Sequence, residues 1–246
     1  MPLYLGLDAS TQGLTAIVVE IDEHNRRIVF QHSLNFDRDL PEYATTDGVR
    51  QGPDAGVVYA PPQMWADALD RVMGALASAA DIDIESIRAI SGSAQQHGSV
   101  YLHRSADVLL SQLDAAAPIA PQLRMLFARR EAPVWLDSST TRECREIETA
   151  IGGAEVLRAV TGSTAYERFT GPQIRKFHKE QPEAYDATAR IHLVSSFMAS
   201  LLLGATAPID PGDGSGMNLM DLAENSWSPA ALDATARAAL RQQKAP

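Results

Sequence analysis

A single cysteine, Cys144, stands in 246 residues, which excludes a disulfide framework and a thiolate zinc cluster. It falls in a helix-like segment and reads as a small core or surface residue rather than a nucleophile. No apolar run approaches the ~20 residues that a bilayer span requires. No basic, then apolar, leader precedes the first strand pattern either, so the cytoplasm is the expected compartment. Positive charge is scarce as well: 21 Lys and Arg against 31 Asp and Glu give a net charge of −10. Nucleic acid and anionic membranes both need a basic face, and neither is expected as a partner. There is no G-x-x-x-x-G-K-[ST] loop and no G-x-G-x-x-G between a strand and a helix. Any phosphate chemistry must therefore rest on metal, backbone dipoles and a few local cations.

What is present is an ample core. Hydrophobic residues make up 45% and charged residues 21% of the chain, as in an ordinary globular domain, and the length suits one large domain. The most telling stretch runs from Tyr4 to Val19. Two β-forming apolar runs flank Asp8-Ala9-Ser10-Thr11-Gln12-Gly13, which predicts a β-hairpin with Gly13 taking positive φ. The turn carries a carboxylate, two hydroxyls and an amide. Backbone N–H groups and hydroxyls gathered at a turn form a concave anion site. A carboxylate beside a phosphate is repulsive by about 4 kcal/mol at ~4 Å and an effective dielectric near 20. Asp8 fits such a site only with a divalent cation between the charges, and hard oxygen ligands suit Mg²⁺. The competing reading is a hairpin whose Asp and Ser bond their own backbone.

Further along, residues 27–33 predict a third strand, reached through a polar turn at 22–26, so that an antiparallel meander opens a mixed sheet. Residues 34–62, rich in Gly, Pro and Asp, predict a long surface loop. Trp65, Leu69, Val72, Met73 and Leu76 mark an amphipathic helix over 63–80. A buried strand is expected at 87–92, running into Gln95-Gln96-His97-Gly98, with a short strand at 99–102. Residues 104–130 read as an insertion of one or two short helices, and 133–137 as a strand. Thr140 and Glu143 have capping-box spacing for a helix reaching about Ile151. Helices at 155–160, 172–181 and 197–203, strands at 191–194 and 217–222, and a last helix from Pro229 to about Gln242 complete the series. Strands alternating with helices after the meander define a layered α/β domain with one mixed sheet.

Side chains after a strand's carboxyl end converge on ligand crevices, and Gln95, Gln96 and His97 offer directional donors and acceptors suited to a polyol. A turn with one exposed histidine is the plainer alternative. Arg168 beside Tyr166 and Phe169 offers a cation next to an aromatic, or else a surface ion pair of little energetic weight. Trp135 reads as core rather than a sugar platform, Asp137 as a helix cap rather than a site carboxylate, and Gly212 to Gly216 as a plain turn rather than a phosphate cradle.

The order of these segments is more informative than any one of them. The hairpin at Asp8 is followed by Ser-Gly-Ser-Ala-Gln-Gln-His-Gly, Val-Trp-Leu-Asp-Ser-Ser-Thr-Thr, Glu-Arg-Phe-Thr-Gly-Pro-Gln-Ile and Asp-Gly-Ser-Gly-Met-Asn-Leu. In this succession the chain resembles the FGGY family of carbohydrate kinases, above all its xylulokinase branch of the animal type. The resemblance spans nearly the whole chain apart from 104–130. It implies the ribonuclease-H-like α/β fold of the actin and hexokinase type, and ATP and Mg²⁺ as cofactors. By motif, Asp8 would serve the Mg²⁺ site and so the catalysis, and Ser10, Thr11, Gln12 and Gly13 would face the phosphates. Gln96, His97 and Arg168 would contact the ketose, whose phosphorylation converts D-xylulose to D-xylulose 5-phosphate. Ribulose, gluconate or glycerol as substrate, or a non-catalytic sugar-binding domain, are the alternatives. Pro172-Gln173-Ile174-Arg175-Lys176 departs from the Pro-Lys-Leu-x-Trp of many bacterial members. The family's catalytic base lies in a Gly-Asp-Asn or Gly-Asp-Gln motif downstream, which residues 1–246 do not contain. The expectation is thus an N-terminal domain, a C-terminal nucleotide-binding domain absent, little activity in the isolated chain, and a homo-oligomer as a possible assembly.

Overall fold

A computed structural model describes residues 2–24 and 26–236. Its strands are β1 (Leu3–Ala9), β2 (Gly13–Ile21), β3 (Arg26–Asn35), β4 (Arg50–Gln51), β5 (Val58–Ala60), β6 (Ile87–Ala94), β7 (Ser99–His103), β8 (Ala132–Pro133), β9 (Thr188–Leu193), β10 (Met220–Asp221) and β11 (Ser226–Trp227). The helices are α1 (Phe36–Asp39), α2 (Pro62–Ala77), α3 (Ala106–Ser111), α4 (Thr141–Ile151), α5 (Ala154–Thr161), α6 (Thr170–Glu180), α7 (Pro182–Asp186), α8 (Val194–Leu203), α9 (Pro211–Ser215) and α10 (Pro229–Ala236).

Period-2 alternation builds the main sheet. Leu3, Leu5, Leu7 and Ala9 of β1 and Leu14, Ala16 and Val18 of β2 all point to one covered face, as a strand's side-chain alternation requires. The sheet order is β3-β2-β1-β6. The first three strands are the antiparallel meander, and β6 joins β1 in parallel. Helix α2 covers this face with Trp65, Leu69, Val72 and Leu76, and α8 adds Phe197 and Leu201 to the same core. Gly204 ends α8 in the left-handed region at φ +63°, where a residue without Cβ carries no steric penalty.

Several expectations are corrected. One mixed sheet becomes a four-stranded sheet with small companions, β4-β5-β8, β7-β9 and β10-β11. The stretch 34–62 is not a plain loop. Phe36 and Leu40 are fully buried, and α1, β4 and β5 interrupt it; its Gly and Pro content concealed these short elements because none is long enough to show a period. Pro62, taken as a breaker, opens α2 at a first-turn position that needs no N–H. β6 is exposed along most of its length instead of buried; its ends, Ile87 and Ala94, pack against the core. The strand expected at 133–137 is met only at Pro133, the second residue of β8, and that at 217–222 is only the two residues of β10. The capping box at Thr140 does not form: the Thr140 hydroxyl donates to the Glu167 carbonyl at 2.9 Å, and Glu143 pairs with Lys179. The short helices expected within 104–130 are present, anchored by Ala106, Leu110, Leu123 and Leu126 in the core. The expected last helix is described to Ala236; its continuation to Gln242 lies outside the described residues.

Candidate active site

β1 and β6 run parallel, and their carboxyl ends open together on a cleft of about 320 Å³. Asp8 closes β1 on the exposed face, in register with Thr15 of β2 and Ser93 of β6. The Ser93 hydroxyl donates to its carboxylate at 2.6 Å. From the hairpin, Asp8, Ser10 and Thr11 line the cleft; from beyond β6 come Gln95, Gln96 and His97, and from farther along the chain Trp135 and Arg168. Six residues singled out from the sequence (Asp8, Ser10, Thr11, Gln96, His97 and Arg168) thus face one space.

Gln12 and Gly13 do not line it. The Gln12 side chain reaches away to Asp47 at 3.4 Å, and its carbonyl accepts the Phe36 N–H at 2.9 Å. Gly13 does not take positive φ; it is paired within β2, and a Cβ there would lie 2.3 Å from the Leu34 carbonyl oxygen. Close approach of two strands, not turn conformation, is what demands glycine. The hairpin tip is further braced by the 45–48 loop. Asp37 accepts the Thr45 hydroxyl and the Gly48 and Asp47 N–H groups, and these bonds hold its carboxyl below the usual range against the opposing effect of its burial. Gly48, at φ +76°, sits so close that a Cβ would fall 2.0 Å from the Thr11 carbonyl oxygen.

On the facing wall, His97 occupies the left-handed region at φ +66°, an uncommon conformation for a non-glycine residue that collects at functional sites. Its ring packs on Phe169 at 5.0 Å between centroids, and Nδ1 lies 3.1 Å from the Gly216 carbonyl. A carbonyl only accepts, so Nδ1 carries the proton and Nε2 of the neutral ring is left as an acceptor. Burial, then the nearby Arg168 guanidinium, lower the His97 pKa, against the Gly216 hydrogen bond and Asp213, which raise it. The segment 210–216 is therefore not a plain turn: it forms α9, and Gly216 at its end abuts the imidazole so closely that a Cβ would meet Cε1 at 2.9 Å.

Arg168 forms no ion pair among the described residues. Its guanidinium lies over Tyr166 at 4.9 Å and Trp135 at 5.8 Å, with Nε buried and unpartnered. Trp135, read from sequence as core, is 36% exposed and faces the cleft. Of the two glutamines, Gln95 is the one turned inward, and both polar atoms of its amide are buried without a partner. Orphaned donors and acceptors in a native structure call for an explanation, but these two atoms are buried and so closed to a ligand in the cleft. Asp137 is neither a cap nor a lining residue. It is buried and accepts from Val58 N–H at 2.9 Å, Ser139 N–H at 2.9 Å, the Ser139 hydroxyl and the Gln173 amide at 2.7 Å. Cys144 is buried and its thiol is pushed up to about 12, mainly by burial, so it is no nucleophile. Among the described residues no three His, Cys, Asp or Glu side chains gather as a metal cluster. Asp8 with its hydroxyl neighbours fits a cation that takes one or two carboxylates and completes its shell with phosphate oxygens and water, as Mg²⁺ does.

A meander opening a mixed sheet, with a polar cleft where β1 and β6 end, defines a ribonuclease-H-like domain of the actin and hexokinase type. Solved structures share it. The xylulose kinase from Rhodospirillum rubrum aligns with a TM-score of 0.72 at 18% identity, covering 95% of this chain and 41% of that one. A glycerol kinase from Plasmodium falciparum, solved with ADP, aligns at 0.68 and 17%, covering 96% of this chain and 41% of that one. In sequence the chain is similar to the FGGY family of carbohydrate kinases: the model of that family's N-terminal domain matches residues 129–240. Similarity in sequence runs well beyond the matched segment. Xylulose kinase 2 of Arabidopsis thaliana is 49% identical over 235 residues, 95% of this chain and 41% of that protein. The xylulose kinase of Mus musculus is 47% identical over 232 residues, 94% of this chain and 41% of that protein. The chain thus spans about two fifths of the length of these curated relatives. No helix among the described residues is long and apolar enough to cross a membrane.

Proposed function

We propose that this chain is the sugar- and phosphate-binding domain of a cytoplasmic, ATP-dependent kinase that converts D-xylulose to D-xylulose 5-phosphate. The observation that carries the reading is the shared cleft: Asp8 at the hairpin and His97 with Arg168 opposite it face one space. The relatives at 47–49% identity are xylulose kinases, which favours D-xylulose over ribulose, gluconate or glycerol; the fold alone does not choose.

Each residue has a role that its surroundings support. His97 Nε2 accepts a sugar hydroxyl, and the Gly216 carbonyl keeps the imidazole in the tautomer that can do so. Arg168 directs its guanidinium at ketose oxygens, and Gln96 donates and accepts with its amide. Ser10 and Thr11 offer hydroxyl donors, and the hairpin its N–H groups, to phosphate oxygens. Mg²⁺ held at Asp8 would offset the charge on the transferring phosphoryl group, in a reaction governed by positioning and electrostatics. The base that takes the proton of the attacking primary hydroxyl is assigned to a Gly-Asp-Asn type motif outside these 246 residues.

Calorimetry with a sugar panel tests the reading. D-xylulose should bind saturably and in preference to ribulose, gluconate and glycerol, and Arg168→Ala should weaken it by at least about tenfold, the loss of a charged hydrogen-bond donor. Absence of saturable binding, or equal affinity across the panel, would overturn it. Ordinary turnover by the 246 residues alone, in a coupled ADP-release assay, would overturn the placement of the base.

A further inference from the structure

One side chain joins the two walls of the cleft, beside the backbone bond from the Gln95 N–H to the Ala9 carbonyl at 2.9 Å. The Trp135 indole N–H donates to Thr11 Oγ1 at 2.9 Å, and the same ring carries the Arg168 guanidinium at 5.8 Å. Thr11 stands at the hairpin tip, and Arg168 belongs to the ligand wall. The backbone around Trp135 is fixed: Val134 is buried beside it, Asp137 N–H donates to the Val134 carbonyl at 2.9 Å, and Asp137 is held by its four bonds. The side chain itself lines the cleft, and the residue is 36% exposed.

The direction of the hydrogen bond matters. An indole N–H can only donate, so Thr11 Oγ1 is the acceptor and the hydroxyl proton of Thr11 remains available to point outward. Trp135 therefore fixes Thr11 as a donor, the polarity an anionic oxygen at the hairpin requires. Donation into a hydroxyl oxygen also strengthens the bond that hydroxyl can donate onward. Arg168 pairs with no carboxylate among the described residues, and a ligand that engaged its guanidinium would change its contact with the Trp135 ring.

We propose that Trp135 is a positioning residue that transmits occupancy of the sugar side of the cleft to the phosphate hairpin, through its N–H bond to Thr11. The inference rests on the ketose reading given above and goes beyond it. Sugar binding sets the hairpin's donor geometry, and by thermodynamic reciprocity an anion at the hairpin strengthens sugar binding.

Amide hydrogen exchange of residues 10–13 tests this on the 246-residue chain, without ligand and at D-xylulose saturation of each variant. In the wild-type chain the sugar should slow exchange at the hairpin by about threefold or more, a coupling at the lower end of the usual range. Trp135→Phe keeps a ring under Arg168 but removes the N–H, and Thr11→Val removes the acceptor; each should abolish most of the sugar-dependent slowing. A merely structural role would shift the ligand-free rates of the variants and leave the sugar-dependent ratio intact. Retention of the wild-type ratio in both variants overturns the proposal, as does a wild-type chain that binds D-xylulose with no response at the hairpin. Failure of D-xylulose to bind the wild-type chain is a different result: it overturns the ketose reading, and this coupling with it.

Discussion

The hairpin wall of the cleft comes from one run of chain, residues 8–11, whereas the wall facing it draws on Gln95 to His97, Trp135, Arg168 and Gly216. The first is held by backbone: β1 pairs with β2 on one side and β6 on the other, and Gln12 is tied to Phe36. The second is held by side chains and strained backbone: the four bonds of Asp137, the His97–Gly216 contact, and the stacking of Arg168 on Tyr166 and Trp135. A wall made by a ladder should tolerate loss of any one side chain. A wall gathered from distant segments should fail when a buried polar group that staples those segments is removed.

The largest effect is therefore expected at Asp137, which lines nothing. Asp137→Ala would leave the Val58 N–H buried without its acceptor and cost the Gln173 amide one of its two, the other being the Glu167 carbonyl at 3.2 Å. A buried donor left unsatisfied costs about 1–3 kcal/mol, so a loss of about 3 kcal/mol in urea unfolding is expected. D-xylulose affinity should fall at least about tenfold, as near-ångström displacement of positioning groups implies. A variant with stability within about 1 kcal/mol of wild type would remove the distinction between the walls.

The same contrast explains what could be read in advance. The hairpin wall was legible because strand alternation and turn chemistry are local signals: Tyr4 to Val19 announces β1, the turn and β2, and places Asp8 at the strand's end. The meander and the amphipathic α2 follow from the same kind of pattern. Trp135 and Asp137 were misassigned because a tryptophan in a Val-Trp-Leu run reads as core. An aspartate before Ser-Ser-Thr-Thr reads as a cap, and only tertiary contacts with Val58 and Gln173 give it another task. The 34–62 stretch hid Phe36 and Leu40 for a related reason: a one-turn helix and two-residue strands carry no period. Gly216 gave no signal of its contact with His97, which depends on a separation of more than a hundred residues. β6 was read as buried because Ile-Arg-Ala-Ile suits a covered parallel strand, while its middle is exposed and its ends, Ile87 and Ala94, are what reach the core.

A second, smaller effect separates the walls by pH. Burial and Arg168 lower the His97 pKa below 6.5, with Asp213 and the Gly216 bond opposing. The ring is therefore neutral at pH 7 and stays neutral somewhat below 6.5. Protonation removes the Nε2 lone pair that accepts the sugar hydroxyl. D-xylulose affinity should be flat above pH 6.5 and decline as pH falls through the lowered pKa, by up to about tenfold per pH unit. His97→Ala should bind weakly and lose that dependence. The same decline persisting in His97→Ala would assign the titration to another group.

The smallest effect on stability is expected at Asp8, although it carries the metal assignment. Its carboxylate is exposed and accepts one hydroxyl bond, from Ser93, and an asparagine oxygen can accept the same bond. Asp8→Asn should therefore unfold within about 0.5 kcal/mol of wild type, as surface substitutions do. Its effect on anion binding should instead change sign with magnesium. Without divalent ions the carboxylate repels phosphate oxygens, so Asp8→Asn should bind pyrophosphate more tightly in EDTA. The gain should be about 1 kcal/mol, well under the ~4 kcal/mol of an unscreened pair at 4 Å, because the cleft is open to water. With Mg²⁺ present the carboxylate becomes a ligand, and the same substitution should weaken binding. Hairpin amide shifts in the two buffers distinguish these cases. If Asp8→Asn moves pyrophosphate affinity in the same direction with and without Mg²⁺, then Asp8 acts as a fixed charge or a turn residue. The hairpin wall would in that case hold phosphate, if at all, by its amides and hydroxyls alone.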